Sequence, residues 1–381
     1  MGHSLIIGGS NGIGLAIASE LAANGVPATV VDKEDNRLLE QAGIKFRRVN
    51  LLDNDFSFLK EYDDVDTLVI TAGFGRVTHF DHLLEKEIDN SFQVNTIAAI
   101  KILHYFFPKM KQLQSFHCAV MCSIAGLVSS PLFALYGATK SALCSAIESL
   151  NVELQMAGTN NRILNVSPGV IKGTRFNGGL NDLSKTAALA KTIIQEMNAG
   201  HLLYIPDYEE TYKGVLSRYH TDPVQFGVDS YQYKVDGGRI SERPQLKVGY
   251  LSGTFDLFHI GHLNLLRRAK QYCDYLVVGV HKDASHKNKT TFVPFEERMD
   301  IVRSVRYVDR VIPSEKEDSD VWLKGIVKYD YLFVGSDYKG TPRFNRYEQI
   351  FADKGVRIIY FPYTQGTSST QLRDALTAIN K

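Results

Sequence analysis

Twice along this 381-residue chain, short apolar runs alternate with amphipathic stretches, and that alternation restricts the fold more than any other feature. From Ser4 to about Pro206, the runs SLIIGG, PATVVD, TLVITAG, CAVMCS, RILNVSPG and HLLYIP read as strands buried on both faces. Helical patterns such as GLAIASELAANG and KSALCSAIESLNVELQ lie between them. A strand followed by a helical crossover re-enters its sheet in the same direction, so such a series predicts a parallel sheet covered on both sides. A second series starts at Leu246 with KVGYLSG, YLVVGVH, YLFVGSD and RIIYFP and ends in the helical pattern TQLRDALTAI.

A chain of this length exceeds one ordinary core, and no repeat period relates the two series. The expected fold class is α/β, with two Rossmann-like parallel-sheet domains in tandem. Between them, residues 208–219 read as a closing helix. The polar, turn-rich YHTDPVQFGVDSYQYKVDGGRISERP reads as a linker or packing arm. The expected domains are therefore 1–220 and 246–381, joined by 221–245.

Hydrophobic residues make up 44% and charged residues 22%, as in ordinary soluble domains, and the formal net charge of +1 offers no field for nucleic acid or an anionic membrane. The four cysteines, Cys118, Cys122, Cys144 and Cys273, form no CxxC pair and have no histidine at metal spacing. They read as buried free thiols of a reducing compartment, not as metal ligands. No apolar run is long enough to span a bilayer, and the start MGHSLI has neither a signal-peptide pattern nor the residue that myristoylation needs at position six. The expectation is a cytoplasmic protein whose partners are small molecules, without nucleic acid, membrane or metal-site residues.

Gly8, Gly12 and Gly14 follow the first strand and open the first helix. Glycines there permit a tight turn and let backbone approach a pyrophosphate, whose charge the helix N-terminus favours. Asp32 ends the second strand, where a carboxylate accepts from ribose hydroxyls and repels a 2′-phosphate. That favours NAD over NADP, although Lys33 and Arg37 nearby can attract the same phosphate. Tyr136 and Lys140 stand at i, i+4 and share a helix face. An ammonium beside a phenol is expected to lower its pKa, so that the phenol can protonate an alkoxide as hydride reaches a ketone. Ser123, at a strand end, can hydrogen-bond the carbonyl oxygen.

Residues 4–206 resemble the short-chain dehydrogenase/reductase family. Ile7 with GGSNGIG stands for its TGxxxGIG, TAG at Thr71–Gly73 for its NAG, and YGATK for its YxxxK. The resemblance implies catalytic Asn95, Ser123, Tyr136 and Lys140. It implies coenzyme contacts from Gly8, Ser10, Asn11, Gly12, Ile13, Gly14, Asp32, Asn50, Leu51, Ala72, Gly73, Pro168, Gly169 and Thr174. Asn50-Leu51 stands where the family usually places an aspartate at the adenine. In the substrate loop, about 173–189, Arg175 and Lys185 suit a phosphorylated substrate, and they equally suit a solvated loop.

The segment GTFDLFHIGH, from Gly253 to His262, follows a strand and a turn, which places both imidazoles at a helix start. Two imidazole donors at a helix N-terminus stabilise the charge that builds on phosphoryl oxygens during in-line attack. Class I aminoacyl-tRNA synthetases carry a similar HIGH, but their KMSKS loop is absent. Residues 246–381 more closely resemble the cytidylyltransferase family typified by glycerol-3-phosphate cytidylyltransferase, through GTFDLFHIGH, RRAKQYCDYLVVGV, PFEERMDIVRSVRYVDRVIP, YLFVGSD and QGTSSTQLR. That likeness implies catalytic His259 and His262. It implies a nucleotide site of Gly253, Thr254, Phe255, Asp256, Lys289 (or Lys287), Arg298, Asp337, Thr367, Ser368, Ser369 and Thr370, with CTP as substrate and Mg²⁺ on its triphosphate. The family's Arg-Thr-Glu-Gly is here Tyr363-Thr364-Gln365-Gly366. Arg343, Arg346 and Lys339 either compensate for the lost cation or are surface charges.

Together these features predict a bifunctional enzyme. One half reduces a ketose phosphate or CDP-ketose with NAD(P)H. The other transfers CMP from CTP to a polyol phosphate, and the joint product is a CDP-alditol for capsular or teichoic-acid-like polymers. The rival readings are a glycerol-3-phosphate cytidylyltransferase whose first half is an oligomerisation scaffold, and a nucleotide-sensing binding protein. The first family's habit implies a homodimer or homotetramer through the helices around Asn95 and Tyr136.

Overall fold

Side chains that alternate in pointing along the strands explain the architecture. In the first strand Leu5 and Ile7 join one apolar cluster with Ile102, Leu103, Phe106, Leu143 and Ile147, while Ile6 joins another with Leu15, Ile17, Ala190, Ile193 and Met197. Neighbouring residues thus bury opposite faces, as a strand with helices on both sides requires. The computed structural model describes residues 2–174, 176, 181–240, 247–282, 290–314, 317–362, 371 and 372. The chain divides into two compact units, Met1–Arg243 and Pro244–Lys381.

The first unit holds β1 (His3–Ile7), β2 (Ala28–Asp32), β3 (Lys45–Arg48), β4 (Val65–Ile70), β5 (His117–Met121), β6 (Ile163–Val166) and β7 (Leu203–Tyr204). They form one seven-stranded parallel sheet in the order β3-β2-β1-β4-β5-β6-β7. Six of these strands lie in the apolar runs. β3, of sequence KFRR, does not. It is an edge strand with one side open, where charged residues guard against stray pairing.

Two helices follow β7. Residues Tyr208–Tyr212 make a π-helical turn that runs into the helix Lys213–Thr221. A second helix, Pro223–Asp236, occupies the stretch expected as a linker or packing arm. Its start has a clear physical origin. The Asp222 carboxylate accepts from Val224 N at 3.1 Å and Gln225 N at 2.9 Å, and Pro223 takes the first helical position, where no amide hydrogen is needed. The helix packs on its own unit: a Cβ on Gly227 would lie 3.7 Å from Pro131 and 3.9 Å from Ser129.

The second unit holds β8 (Val248–Gly253), β9 (Tyr275–Val280), β10 (Arg310–Pro313), β11 (Tyr331–Gly335) and β12 (Arg357–Phe361), in the parallel order β10-β9-β8-β11-β12. Leu251 and Val278 face one cluster with Leu266 and Val302. Tyr250 and Val277 face another with Val321, Phe344, Tyr347 and Phe351. Of the closing pattern TQLRDALTAI, only Gln371 and Leu372 are described, and both are helical.

Candidate active sites

In each sheet the strand order reverses once, between β1 and β4 and between β8 and β11. A crevice opens beyond the carboxyl ends of the strands at such a point, and ligands of α/β sheets bind there. Both glycine-bearing signatures start at these positions.

At the first reversal, Gly8 has φ +88° and a Cβ there would overlap the backbone of Ala72. A Cβ on Gly14 would overlap the Thr71 hydroxyl, so only glycine lets the loop lie against the end of β4. Thr71 bonds that loop directly, donating to Ile7 O at 3.2 Å and Gly8 O at 3.0 Å. The Asp32 carboxylate accepts from Ser10 N at 3.0 Å and Lys33 N at 2.7 Å. Among the described residues Ser10 Oγ is buried with no hydrogen-bond partner, within the glycine-lined cradle. Asn50 Oδ1 caps Leu52 N at 3.2 Å, which leaves its amide nitrogen for a base, and Leu51 O accepts from Gln93 at 3.1 Å. Thr174 packs against Gly12, and Gly12 N donates to Asn181 Oδ1 at 3.1 Å while Asn181 bonds Asn11 at 2.6 Å. The cradle, its carboxylate and its orphan hydroxyl fit a dinucleotide. Arg175 lies outside the described residues, and Lys185 is paired with Asp182 at 3.2 Å.

Four side chains meet below that loop. Asn95 is fully buried in a π-helical turn. Its amide bonds both backbone groups of Phe74, at 3.0 and 2.9 Å, and donates to Thr139 Oγ1 at 3.1 Å. Thr139 in turn donates to Tyr136 O at 2.7 Å. Lys140 Nζ donates to Met121 O at 2.7 Å, 5.7 Å from the Tyr136 ring centre, and Gly73 lies beside both Lys140 and Asn95. Ser123 Oγ accepts from Ala125 N and donates to Pro168 O at 3.4 Å. Tyr136 stacks on Phe133 at 4.3 Å, with Phe176 at 5.2 Å. Burial holds the Tyr136 phenol above its ordinary value, against the pull of a hydrogen bond with Ser123. Burial also holds Lys140 below its own ordinary value. The phenol is thus raised where a lowering was expected, because burial outweighs the hydrogen bond that would lower it.

Sequence reasoning missed Tyr212. Its hydroxyl occupies the space a Cβ on Gly169 would take, so it props the Pro168–Val170 segment from outside the family-like stretch. Only its place in the closing helix could have flagged it.

At the second reversal, Phe255 and Leu257 adopt φ +52° and +48°, a strained bend for such side chains and of a kind that clusters at functional sites. Asp256, buried, accepts from Phe292 N and Val293 N, both at 3.0 Å, and so pins the far loop to the bend. His259 caps the helix Ile260–Lys270: its Nδ1 accepts from Gly261 N at 3.0 Å, and His262 Nδ1 accepts from His259 N at 3.3 Å. The rings stand 4.0 Å apart. A ring nitrogen that accepts carries no hydrogen, so each neutral imidazole bears its proton on Nε2, the donor tautomer that phosphate oxygens need. Burial pushes the His259 pKa down, which keeps it neutral. Among the described residues Thr254 Oγ1 is buried without a hydrogen-bond partner, the counterpart of Ser10 Oγ.

Arg298, expected near the triphosphate, lies beneath the bend. It is fully buried, and its guanidinium donates to Val293 O, Thr254 O, His281 O and Lys282 O at 2.5–2.9 Å. It holds the loops around the bend from beneath. Asp337 folds its carboxylate over Gly335 at the end of β11. Gly253, which ends β8, lies under the Phe255 ring. Lys287, Lys289, residues 363–366 and Thr367–Thr370 lie outside the described residues. Arg343 and Arg346 pair with Glu317 at 3.5 and 2.9 Å, and Arg343 also meets Asp318 at 3.4 Å, so acids already balance these two candidate compensating cations, while the third, Lys339, lies 5.7 Å from the Tyr360 ring. Ser252, whose hydroxyl donates to Asp318 at 2.5 Å with His281 at 3.5 Å, extends that network to the end of β8. Among the described residues no group of three His, Cys, Asp or Glu side chains could hold a metal, and no helix is long and apolar enough to cross a membrane.

Comparison with known proteins agrees with this division. The short chain dehydrogenase family model matches residues 3–184, and the Cytidylyltransferase-like model matches residues 250–375. Glycerol-3-phosphate cytidylyltransferase of Bacillus subtilis (strain 168) is 36% identical over 132 residues, 33% of this chain and 95% of that protein. Bifunctional protein HldE of Yersinia pestis (strain Pestoides F) is 34% identical over 153 residues, 39% of this chain and only 31% of that protein. A solved short-chain dehydrogenase from Streptomyces avermitilis is 21% identical, covers 62% of this chain and 97% of that one, and has a TM-score of 0.49, a likeness too slight to carry an argument about activity. The chain therefore belongs, through its second unit, to the family of glycerol-3-phosphate cytidylyltransferase, and with the first unit, which the short chain dehydrogenase model matches over residues 3–184, it is a bifunctional oxidoreductase and cytidylyltransferase.

Proposed function

We propose that the first unit reduces the ketone of a ketose phosphate or CDP-ketose with NAD(P)H, and that the second joins a polyol phosphate to CMP from CTP. The joint product is a CDP-alditol, an activated donor for capsular or teichoic-acid-like polymers. The observation that carries the reading is that both halves hold assembled chemical groups, Tyr136 with Ser123 and Lys140 in one and the reciprocally capped His259 and His262 in the other.

In the reductase the bound coenzyme supplies a hydride. Ser123 Oγ holds the substrate carbonyl oxygen, and Tyr136, which burial keeps protonated, donates its phenolic proton to that oxygen as negative charge builds there. Asn95 fixes the Phe74 backbone and, through Thr139, the first turn of the Tyr136 helix. Asp32 supports a preference for NAD, since Lys33 pairs with Glu34 at 3.7 Å and does not stand alone as a phosphate ligand. In the transferase the acceptor phosphate oxygen attacks the α-phosphorus of CTP, and the bond to the bridging oxygen breaks to release pyrophosphate. The Nε2 hydrogens of His259 and His262 and the helix N-terminus hold the oxygens on which charge gathers.

Exposed Ile97, Ile100, Val152 and Met156 on the helices around Asn95 and Tyr136 support a homodimer or homotetramer. Mass spectrometry of products from CTP, NAD(P)H and a panel of ketose phosphates tests the reading. The expected product carries CMP linked to a polyol two hydrogens heavier than the ketose. A CMP adduct that never gains those hydrogens defeats the coupling of the two halves.

A further inference from the structure

The helix Pro223–Asp236 carries a lysine that the chemistry above does not use. Lys234 is only 6% exposed, and its Nζ has one hydrogen-bond partner among the described residues, Ser230 Oγ at 2.8 Å. Neither Lys234 nor Arg239 has an ion-pair partner among the described residues. The glycine turn at 237–238 brings Arg239 back so that its amide bonds Lys234 O at 3.1 Å, and its guanidinium lies 5.8 Å from the Tyr233 ring. Burial, with the like charge of Arg239, pushes the Lys234 ammonium down to about 8. An ammonium has three hydrogens to place. Burying it with one acceptor and a second cation beside it costs stability that no contact among the described residues returns. A lysine that merely lays its stem on the protein would carry its charge out to water.

Its position says what the charge is for. Gly227, Ser230 and Lys234 are spaced three and four apart and share a helix face, the one on which Gly227 meets Ser129 and Pro131. Val224, Val228, Tyr231 and Val235 form the exposed face. The segment that Gly227 meets leads directly into Phe133, which is stacked on Tyr136. The preceding helical turn brings Tyr212 against Gly169 and Val170, the segment whose Pro168 O accepts from Ser123. The two-helix arm therefore touches both segments that frame the proton donor.

We propose that Lys234, with Ser230 and Arg239, forms an anion site of the reductase that holds the phosphate of its ketone substrate. This rests on the reductase reading above. It adds that the substrate reaches Tyr136 already phosphorylated, either as a phosphate monoester or as the diphosphate of a CDP-linked ketose. Lys234 is a specificity residue: it binds substrate at a distance from the reacting carbon and takes no part in proton transfer.

The test uses the full chain and Lys234→Met, with Ser230→Ala as a milder variant. Inorganic phosphate is expected to raise the melting temperature of the first unit in the parent, and this rise is expected to vanish in Lys234→Met. In steady-state assays Lys234→Met should raise KM for phosphorylated ketones roughly ten- to a hundredfold, the weight of a charged hydrogen-bonded contact, with kcat little changed. Reduction of the unphosphorylated ketose and pyrophosphate release from CTP should not change. A KM effect confined to the ketose phosphate, or to the CDP-ketose, identifies the source of the phosphate. If the parent shows no phosphate-dependent rise, or Lys234→Met slows the unphosphorylated ketose equally, the lysine is a packing residue and the proposal falls. If the rise depends on Lys234 but no phosphorylated ketone is reduced, the anion site stands and the assignment of the reductase substrate fails.

Discussion

Each unit buries a cation behind its signature loop, and the two are treated in opposite ways. Arg298 gives four of its five guanidinium hydrogens to backbone carbonyls that belong to the bend and its facing loops. Among the described residues Lys140 Nζ has one hydrogen-bond partner, Met121 O, and otherwise faces Tyr136, Gly73 and the thiols of Cys122 and Cys144. A buried cation with most of its donors satisfied is a fastener, since removing it leaves several acceptors unpaired. A buried cation with donors in reserve is destabilised as it stands, and such a group persists where chemistry or a ligand uses the remainder. The difference separates the two residues by role although both are basic, buried and close to a signature motif.

The largest effects should fall on the under-satisfied side. Tyr136→Phe should lower reductase kcat by about 10²–10⁴, the range for losing a positioned proton donor, and leave CTP turnover intact. Lys140→Met should lower the same rate while leaving the melting temperature of the first unit unchanged or higher, because a methionine of similar length removes an unbalanced charge. If Lys140→Met unfolds the first unit, the contrast is broken.

Arg298→Met should do the reverse. Four carbonyls lose their donor, and a cost of about 3–5 kcal/mol is expected for breaking up such a buried charged cluster. Chemical denaturation of the full chain, followed through Trp322 in the second unit, measures it. A variant that stays folded but binds CTP weakly would show that Arg298 does meet the triphosphate, as the family likeness implied, and would erase the distinction. His259→Ala should act on rate, with about a 10²–10³-fold loss of cytidylyl transfer, the usual weight of one charge-stabilising donor, and normal ketone reduction. Reduction that slowed in parallel would mean the two sites are not independent.

What the residues revealed in advance follows from burial. Strands covered on both faces must be apolar, so β1, β2, β4 and β9 stand out for their Leu, Ile and Val. The two strands that escaped notice, β3 (KFRR) and β10 (RVIP), are both sheet edges, where one side is open and polar residues are tolerated. The arm helix escaped because GVDSYQY looks like a loop by composition, although Asp222-Pro223 was a legible start. At the sites, residue type and spacing pointed to Tyr136, Lys140, His259 and His262, since the chemistry dictates both. The carbonyls around Arg298 and the reach of Tyr212 to Gly169 could not be read, because backbone acceptors and contacts across the fold have no sequence spacing.

The smallest effect is one of pH, and it sets the two sites apart once more. His259 Nδ1 accepts from Gly261 N, so a proton added there would face an N–H and abolish the cap. Burial already lowers the His259 pKa below the ordinary value of about 6.5. Between that lowered value and about 6.5 the unfolded chain binds the proton and the folded chain does not. Stability from this group is therefore complete above about 6.5 and is lost as pH falls through the lowered value. Tyr136 is shifted upward, so its proton is present throughout the neutral range and imposes no acidic limit on reduction. Titrating both activities on one sample from about pH 8 to about pH 5 should show cytidylyl transfer declining first, with His259→Ala removing the decline from its residual rate. An acid limb of equal midpoint in ketone reduction would place a second titrating group at the reductase and make protonation, and not the helix cap, the feature the two halves share.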